Sequence, residues 1–125
     1  MKHIHTDNAP AAVGPYSQAI QAGDTVYLSG QIAIDPAQGK IVATDIEGQA
    51  EQCAKNVAAV LAAAGTDMTK VVKTTCFLRD MNDFQKFNAV YARHFVSKPA
   101  RSCVAAKDLP LGALCEIEAV AVTAD

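Results

Sequence analysis

Residues 70–95 have the sequence KVVKTTCFLRDMNDFQKFNAVYARHF. The first part is rich in β-branched residues, which favour strands. The second part spaces Phe84, Phe87, Tyr91 and Phe95 three or four positions apart, which is typical of one face of a helix. Asn82 or Asp83 is expected to cap that helix. The segment therefore predicts a strand followed by a helix with an apolar stripe.

The flanking segments complete an α+β pattern. Residues 18–35, QAIQAGDTVYLSGQIAID, predict two strands joined by a turn at AGD. Residues 44–65 predict the clearest helix, with Thr44 and Glu47 as a capping box and Gly65 at its C-terminal end. ARSCVAA (100–106) and ALCEIEAVAV (113–122) predict two further strands. The order β, β, α, β, α, β, β predicts one α+β domain over residues 1–125, with two helices on one face of a single sheet.

Composition narrows the class of protein. The chain has 125 residues, 50% of them hydrophobic and 19% charged, with a formal net charge of −2. This composition is globular rather than disordered, and no basic cluster indicates nucleic-acid binding. No apolar run is long enough for a membrane span, and the polar, proline-rich start does not resemble a secretory signal. We therefore expect a cytoplasmic protein with no membrane association.

The four cysteines, Cys53, Cys76, Cys103 and Cys115, form no C-x-x-C pair. In a reducing cytoplasm they are expected to be free thiols, and at least three of them to pack as small apolar residues in the core. His3 and His5 alone would make a poor metal site. We expect no metal and no cofactor.

Two helices can cover only one face of the predicted sheet. Much of each predicted strand is nevertheless apolar at both odd and even positions, as in strands buried on both sides. This holds for VYLSGQIAI, VVKTTCFL and EIEAVAV. A lone chain would expose an apolar sheet face, and such patches usually mark interfaces. The pattern predicts a closed homo-oligomer with sheet faces turned toward its axis.

A few polar residues fit poorly with packing alone. Asn88 lies within the aromatic stripe, where its function is either to bind a nearby loop backbone or to serve a site. Glu116 and Glu118 alternate with valines on one face of the last strand, and at least one of them is expected to face a cleft. Arg101 shares a strand face with Cys103. It either binds an anion or forms an ion pair, for example with one of the two glutamates.

These residues lie in motifs that resemble the RidA (YjgF) family, of the archetypal RidA subgroup. The resemblance rests on GPYSQAI, LSGQI, VVKTTCFLRDMNDFQKFNAVY, PARSCV, LP and CEIEAVAV, and covers the chain from about Ala9 to Val122. It implies a chorismate-mutase-like α+β fold, a homotrimer, and hydrolysis of reactive 2-imino and enamine acids, such as 2-iminobutanoate and 2-iminopropanoate, to 2-oxo acids and ammonia. One departure is a shorter stretch between Tyr91 and Pro99, which puts the substrate range in doubt.

The resemblance also implies a site between subunits. Arg101 would bind the substrate carboxylate, Glu116 would act as general base on water, and Tyr16 from a neighbouring subunit would close the pocket. The other substrate-binding residues would be Ser29, Gly30, Asn88 and Cys103. Cys103 has no histidine activator in the sequence, so covalent catalysis is not expected; the nearby Arg101 should favour some thiolate character.

Two other functions remain open at this point. The same arginine pocket would serve a regulatory module that binds 2-oxo acids or similar carboxylates without turnover. Ribonuclease or translation-inhibitor activity has been given to some family members, but the chain is mildly acidic and has only seven aromatic residues.

Overall fold

The computed structural model, which describes residues 1–124, is built from short strands around two α-helices. The strands are β1 (Lys2–Ile4), β2 (Ala19–Ala22), β3 (Thr25–Gln31), β4 (Ile34–Asp35), β5 (Lys40–Ile41), β6 (Val71–Leu78), β7 (Ala100–Ala105) and β8 (Cys115–Val122). The helices are α1 (Ile46–Ala63) and α2 (Phe84–His94). The predicted α+β class and the order of the main elements are confirmed. Strands β1 and β5 were not predicted, and the second strand predicted within residues 18–35 is divided into β3 and β4.

Six of the strands form one sheet in the order β1-β2-β3-β8-β6-β7. Among the strands of residues 1–124, only β6 and β7 pair in parallel, because α2 connects them and returns the chain to the same end of the sheet. Strands β4 and β5 form a separate hairpin. The last strand of the chain therefore lies in the centre of the sheet, between β3 and β6.

Strand β8 alternates strictly between the two faces of the sheet, as the period of two requires. Cys115, Ile117, Ala119 and Ala121 are buried beneath the helices, on what we call the helix face. Their neighbours Glu116, Glu118, Val120 and Val122 are only partly buried, on what we call the open face. On that face Tyr27 and Val72 are 52% and 46% exposed. The predicted uncovered sheet face is therefore present.

Helix α1 is capped by a different residue from the one predicted. Asp45, not Thr44, is the N-cap, and its Oδ1 accepts a hydrogen bond of 2.9 Å from the Gly48 N–H. The Thr44–Glu47 capping box is therefore wrong by one residue, because an aspartate next to the threonine competes for the same N–H groups. Gly65, with φ +80°, lies just beyond the C-cap, as predicted.

Asp45→Ala should lower the free energy of unfolding by about 0.5–2 kcal/mol, because it removes the side-chain acceptor of the cap bond. Thr44→Ala is the matched control and should change stability by less than about 0.5 kcal/mol. Urea denaturation of both variants measures the difference. A larger loss for the threonine variant would restore the predicted capping box.

Helix α2 begins after a short 3₁₀ turn at Met81–Asp83. Asp80 caps this turn, and its Oδ1 accepts from the Asn82 N–H at 2.8 Å. Asp83 occupies the N-cap position of α2 but makes no side-chain cap bond. Of the two predicted caps, Asn82 is therefore wrong, and Asp83 has the predicted position without the capping hydrogen bond. Neither helix in the described part of the chain is long and apolar enough to cross a membrane.

The cysteines follow the prediction. All four are free; Cys53, Cys76 and Cys115 are buried, and Cys103 is half-buried. The Sγ atoms of Cys53 and Cys115 lie 3.7 Å apart, where α1 packs on β8. Burial raises the pKa of Cys76 to about 12, so this thiol is inert at neutral pH.

Candidate functional site

A large cavity of about 850 Å³ opens at one end of the molecule. We call it the Glu116 cavity. Its walls come from the loop before β2, the β3–β4 connection, the loop before β8 and the open face of β8. The lining residues are Pro10, Ala11, Val13, Tyr16, Gln18, Ser29, Gly30, Gln31, Ile32, Ile34, Pro36, Gly39, Pro110, Leu111, Glu116 and Glu118. Tyr16, Ser29, Gly30 and Glu116, four of the predicted site residues, thus share one cavity within a single chain.

Gly30 allows the Glu116 carboxylate to lie directly against strand β3. A Cβ at this position would overlap Glu116 Oε2 and lie 2.8 Å from its Cδ. The register between β3 and β8 shifts between Leu28 and Gln31, which marks a bulge where Ser29 and Gly30 stand. The bulge and the missing side chain together create the space that the carboxylate occupies.

The environment of Glu116 favours its neutral form. Burial raises the pKa of Glu116 above its ordinary value, and the nearby Glu118 carboxylate raises it further. A carboxylate with a raised pKa is a stronger base once it is ionised. Glu116 therefore has the electrostatic setting that a general base requires.

Ser29 and Tyr16 differ in how firmly they are held. The Ser29 hydroxyl donates to the Ser17 carbonyl at 2.6 Å, and its N–H donates to the Gln18 carbonyl at 3.0 Å. The lone pairs of the Ser29 hydroxyl oxygen can still accept a hydrogen bond. Tyr16 is 52% exposed, and its ring packs against the Gly14 backbone. Tyr16 thus lies at the mouth of the cavity, with its hydroxyl available to a bound molecule.

Two buried amides that the sequence analysis did not single out shape this cavity. Gln18 Nε2 donates to the carbonyls of Thr6 and Pro10 at 3.0 and 2.8 Å, and Gln18 Oε1 accepts from the Thr6 N–H at 2.7 Å. Asn56 Nδ2 donates to the carbonyls of Ile32 and Ile34 at 3.1 and 2.9 Å. An amide within an apolar helix face was the available signal for Asn56.

Arg101 lies elsewhere, on β7 against helix α2. Its Nη1 donates to Asn88 Oδ1 at 2.7 Å, and its Cζ stands 4.7 Å from the ring centre of Tyr91 and 5.5 Å from that of Phe84. We call these four residues the Arg101 cluster. Within residues 1–124 no carboxylate lies within 4.0 Å of the guanidinium, so the alternative of an internal ion pair with Glu116 or Glu118 is wrong.

Tyr91, whose ring contacts Arg101, is itself held by two further contacts. Tyr91 stacks on Phe95 with ring centres 4.4 Å apart, and its hydroxyl is 2.7 Å from Thr74 Oγ1 on β6. Burial raises the pKa of Tyr91, so the phenol stays neutral. A half-buried guanidinium that has two aromatic rings and one amide oxygen as neighbours keeps most of its donors for a bound anion.

Cys103 lies two residues beyond Arg101 on the same strand face, as the sequence predicts. Burial raises the pKa of Cys103, and the positive charge of Arg101 offsets this only in part. Arg101 thus favours the thiolate, as expected, but the effect of burial on the pKa of Cys103 is larger. The Cys103 thiol stays protonated at neutral pH, which makes it a poor nucleophile.

The two groups of residues lie on opposite faces of the sheet. Arg101 and Cys103 pair in register with Thr74 and Cys76, which are buried on the helix face. Glu116 pairs with Phe77, on the open face. The chain by itself does not bring Arg101 to the Glu116 cavity. No group of three or more metal-ligating side chains is arranged for a metal ion in the part of the chain that the structure describes.

Comparisons with known proteins cover nearly the whole chain. The family described as endoribonuclease L-PSP matches residues 6–123. A RutC family protein of Sinorhizobium fredii is 53% identical over 118 residues, 94% of each chain. The Mus musculus 2-iminobutanoate/2-iminopropanoate deaminase is 48% identical over 122 residues, 97% of this chain and 90% of the mouse protein. E. coli TdcF, solved with bound serine, has a TM-score of 0.94 at 41% identity and covers 99% of this chain and 100% of its own.

Proposed function

Because this chain belongs to the endoribonuclease L-PSP, or RidA (YjgF), family, we propose that it is a hydrolytic deaminase of 2-imino and enamine acids. The products are a 2-oxo acid and ammonia, and 2-iminobutanoate and 2-iminopropanoate are the simplest substrates. The name of the mouse relative supports this reaction, and the serine in TdcF supports a small amino-acid-like ligand. The observation that carries the proposal is the Arg101 guanidinium, held by Asn88 and Tyr91 without an acidic partner among residues 1–124.

Arg101 binds the carboxylate of the substrate. Its planar group matches both carboxylate oxygens, whereas a lysine would supply charge without orientation. Asn88 and the Tyr91 ring fix the direction in which the remaining N–H groups point. With the carboxylate held, the C2 atom and its imine nitrogen take a defined position relative to the other groups of the site.

Glu116 acts on water. It removes a proton from the water as the water oxygen adds to C2 of the protonated imine, which gives a carbinolamine with the hydroxyl and the amino group on one carbon. Glu116 then gives this proton to the amino nitrogen, and the C–N bond breaks to release ammonia while Glu116 takes the hydroxyl proton and the carbonyl forms. The proton left on Glu116 passes to the ammonia, which leaves as ammonium. Ser29, the Gly30 backbone and Tyr16 hold the substrate edge, and Cys103 contributes its small volume beside Arg101. The reaction consumes one water, and no cofactor or metal takes part.

The site is completed between copies of the chain. Glu116 and Glu118 make the cavity negative, which by itself repels a small organic acid. A guanidinium from a second copy supplies the missing positive charge, and the open sheet face provides the surface on which copies meet. We propose a homotrimer in which Arg101, Asn88 and Cys103 of one copy face Tyr16, Ser29, Gly30 and Glu116 of the next.

The direct test follows imines made from L-amino acids by an amino-acid oxidase, in competition with semicarbazide. The protein should accelerate 2-oxo acid and ammonia release and lower semicarbazone formation in proportion to its concentration. Saturable binding of 2-oxobutanoate without any acceleration would instead favour the regulatory module. Protein lacking the Arg101 guanidinium serves as the blank.

The family description makes RNA cleavage the second candidate. A net charge of −2 argues against a surface that follows a phosphate backbone. Titration with a single-stranded RNA at moderate salt, followed by gel analysis of the RNA, should show neither binding nor cleavage. Cleavage that disappears in the Arg101→Ala variant would make the ribonuclease the primary activity.

Glu118→Gln should shift the acidic limb of the rate profile to lower pH. The Glu118 carboxylate is one cause of the raised pKa of Glu116, so its removal lowers that pKa and keeps the base ionised further into acid. In the unmodified protein the rate falls as the pH drops through a value above the ordinary 4.5. Rates corrected for uncatalysed hydrolysis between pH 4 and 8 measure the shift. A shift to higher pH would contradict the assignment.

A further inference from the structure

The His3 imidazole makes a contact that the proposed reaction does not use. His3 lies in β1, opposite Ile20 of β2, and its Nδ1 is 2.8 Å from Ser17 Oγ. A hydroxyl can donate to an imidazole nitrogen or accept from it, so both tautomers of His3 can form this hydrogen bond. Ser17 directly follows Tyr16 in the chain, whereas His3 lies outside the lining of the Glu116 cavity. The contact therefore reaches the candidate site from outside it.

Ser17 is connected to two residues that are proposed to hold the substrate edge. Tyr16 precedes it, and its backbone carbonyl accepts from the Ser29 hydroxyl at 2.6 Å. The Tyr16 N–H donates to the Gly14 carbonyl at 2.8 Å. The Ser29 N–H donates to the Gln18 carbonyl at 3.0 Å. A shift of Ser17 would therefore displace Tyr16 and the Ser29 hydroxyl together.

The segment that carries Tyr16 has no regular structure of its own. Residues 5–18 lie between β1 and β2, outside any helix or strand. The buried Gln18 side chain holds the first part of this segment through the backbone of residues 6–10. Tyr16 is 52% exposed, so packing alone does not fix its position. The hydrogen bond from β1 supplies a restraint at this point of the segment.

We propose that His3 is a positioning residue of the substrate site, which acts through Ser17 and holds the Tyr16 loop, residues 14–18, in the conformation that binds a 2-imino or 2-oxo acid. The inference rests on the proposed function and adds a residue to its site. It depends on contacts within one copy of the chain, so it applies equally in the proposed trimer. Loss of the bond lowers the fraction of protein in the binding conformation, and the apparent affinity falls with that fraction.

His3→Ala should raise KM for 2-iminobutanoate about 2- to 10-fold, the net effect of one hydrogen bond, and leave kcat unchanged. The value of kcat is unaffected because His3 touches neither the attacking water nor the C–N bond. Ser17→Ala should have the same effect, since it keeps the carbonyl that Ser29 uses. The double variant should lose no more than either single variant, because both remove one and the same bond.

Two further variants make the result specific to the His3–Ser17 bond. His3→Asn carries an amide whose polar atom lies close to the position of Nδ1, so it should restore most of the affinity. His5→Ala is the matched control and should leave KM unchanged. His5 contacts its near neighbour Asp7 at 3.1 Å, and both of these side chains are mostly exposed.

A fluorescence measurement reports on the Tyr16 loop without any substrate. The chain has no tryptophan, so Tyr16→Trp introduces a single indole at the mouth of the cavity. Acrylamide should quench this indole more strongly when His3→Ala is added, because the loop is less restrained. Adding His5→Ala instead should leave the quenching unchanged.

Calorimetry with 2-oxobutanoate separates this inference from the proposed function. Equal affinity and equal quenching with and without His3→Ala would overturn the positioning role while the deaminase stands. Additive losses in the double variant, or an equal loss for His5→Ala, would overturn it as well. Weaker binding of 2-oxobutanoate by both single variants of a protein that accelerates no imine would overturn the proposed function, and His3 would remain the positioning residue of a binding site.

Discussion

Replacing Arg101 with alanine should reduce kcat/KM for 2-iminobutanoate by a factor of about 30 to 5,000, which corresponds to about 2–5 kcal/mol. The loss has this size because the substrate carboxylate would remain in a site that already holds Glu116 and Glu118, without the charge that compensates it. The guanidinium makes one hydrogen bond to Asn88 and two ring contacts in the chain, so its removal should leave the fold intact.

Two further variants make this result specific. Arg101→Lys keeps the charge but loses the bidentate geometry, so its activity should lie between that of the unmodified protein and that of Arg101→Ala. Arg93→Ala is the matched control: Arg93 lies on α2, its side chain is 63% exposed, and it makes a weak surface pair with Glu51 at 3.9 Å and a long hydrogen bond of 3.4 Å to the Ala89 carbonyl. Equal thermal midpoints and equal sedimentation for all variants would show that assembly is unchanged. Near-normal imine hydrolysis by Arg101→Ala would end the carboxylate-binding assignment.

Glu116→Gln should lower kcat by about 100-fold or more, the usual contribution of a general base, while the affinity for 2-oxobutanoate changes little. Glutamine keeps the shape of the side chain but cannot take a proton from water. Gly30→Ala should cause a similar loss by a different route, because its Cβ would displace the carboxylate from its place beside β3. Glu47→Gln, in the exposed first turn of α1, is the control.

Stability measurements distinguish lost chemistry from lost structure in this variant. The folded-state pKa of Glu116 is raised, so the folded protein binds its proton more tightly than the unfolded chain does. Its contribution to stability is therefore largest below the unfolded value and falls as the pH rises through the raised pKa. Glu116→Gln should consequently be more stable than the unmodified protein at neutral pH, and the difference in the free energy of unfolding should disappear toward pH 4.

Equal losses in the affinity for 2-oxobutanoate and in kcat of the Glu116→Gln variant would make Glu116 a binding residue.

Mixing the two inactive variants tests the shared site. If Arg101 of one copy works with Glu116 of another, subunit exchange between Arg101→Ala and Glu116→Gln proteins creates interfaces with both native residues. Random exchange in a closed ring should restore about a quarter of the native activity. Mixing either variant with itself is the control. No recovery after proven exchange would mean that both residues must come from one chain.

Much of the fold follows from local patterns in the sequence. Alternation in CEIEAVAV places Ile117 and Glu116 on opposite faces, and the spacing of the aromatic residues predicts the inner side of α2, where Phe87 is buried and Tyr91 is partly buried. Strands β4 and β5 have two residues each, too few for any periodicity. The N-cap of α1 is Asp45 rather than the predicted Thr44, because neighbouring side-chain acceptors compete for the same N–H groups.

The sequence by itself determined which residues are anomalous: Arg101, Asn88 and Glu116 are polar groups at positions that should be apolar, and local period alone identifies them. Only the tertiary structure decided that Arg101 and Glu116 lie on opposite faces of the sheet, and that Asn88 and Tyr91 hold the guanidinium. The physical reason is that the period of two determines only which residues of one strand share a face. Which residues of two different strands share a face depends on the register of the strands and on the helix packed above them, and both are set by non-local contacts.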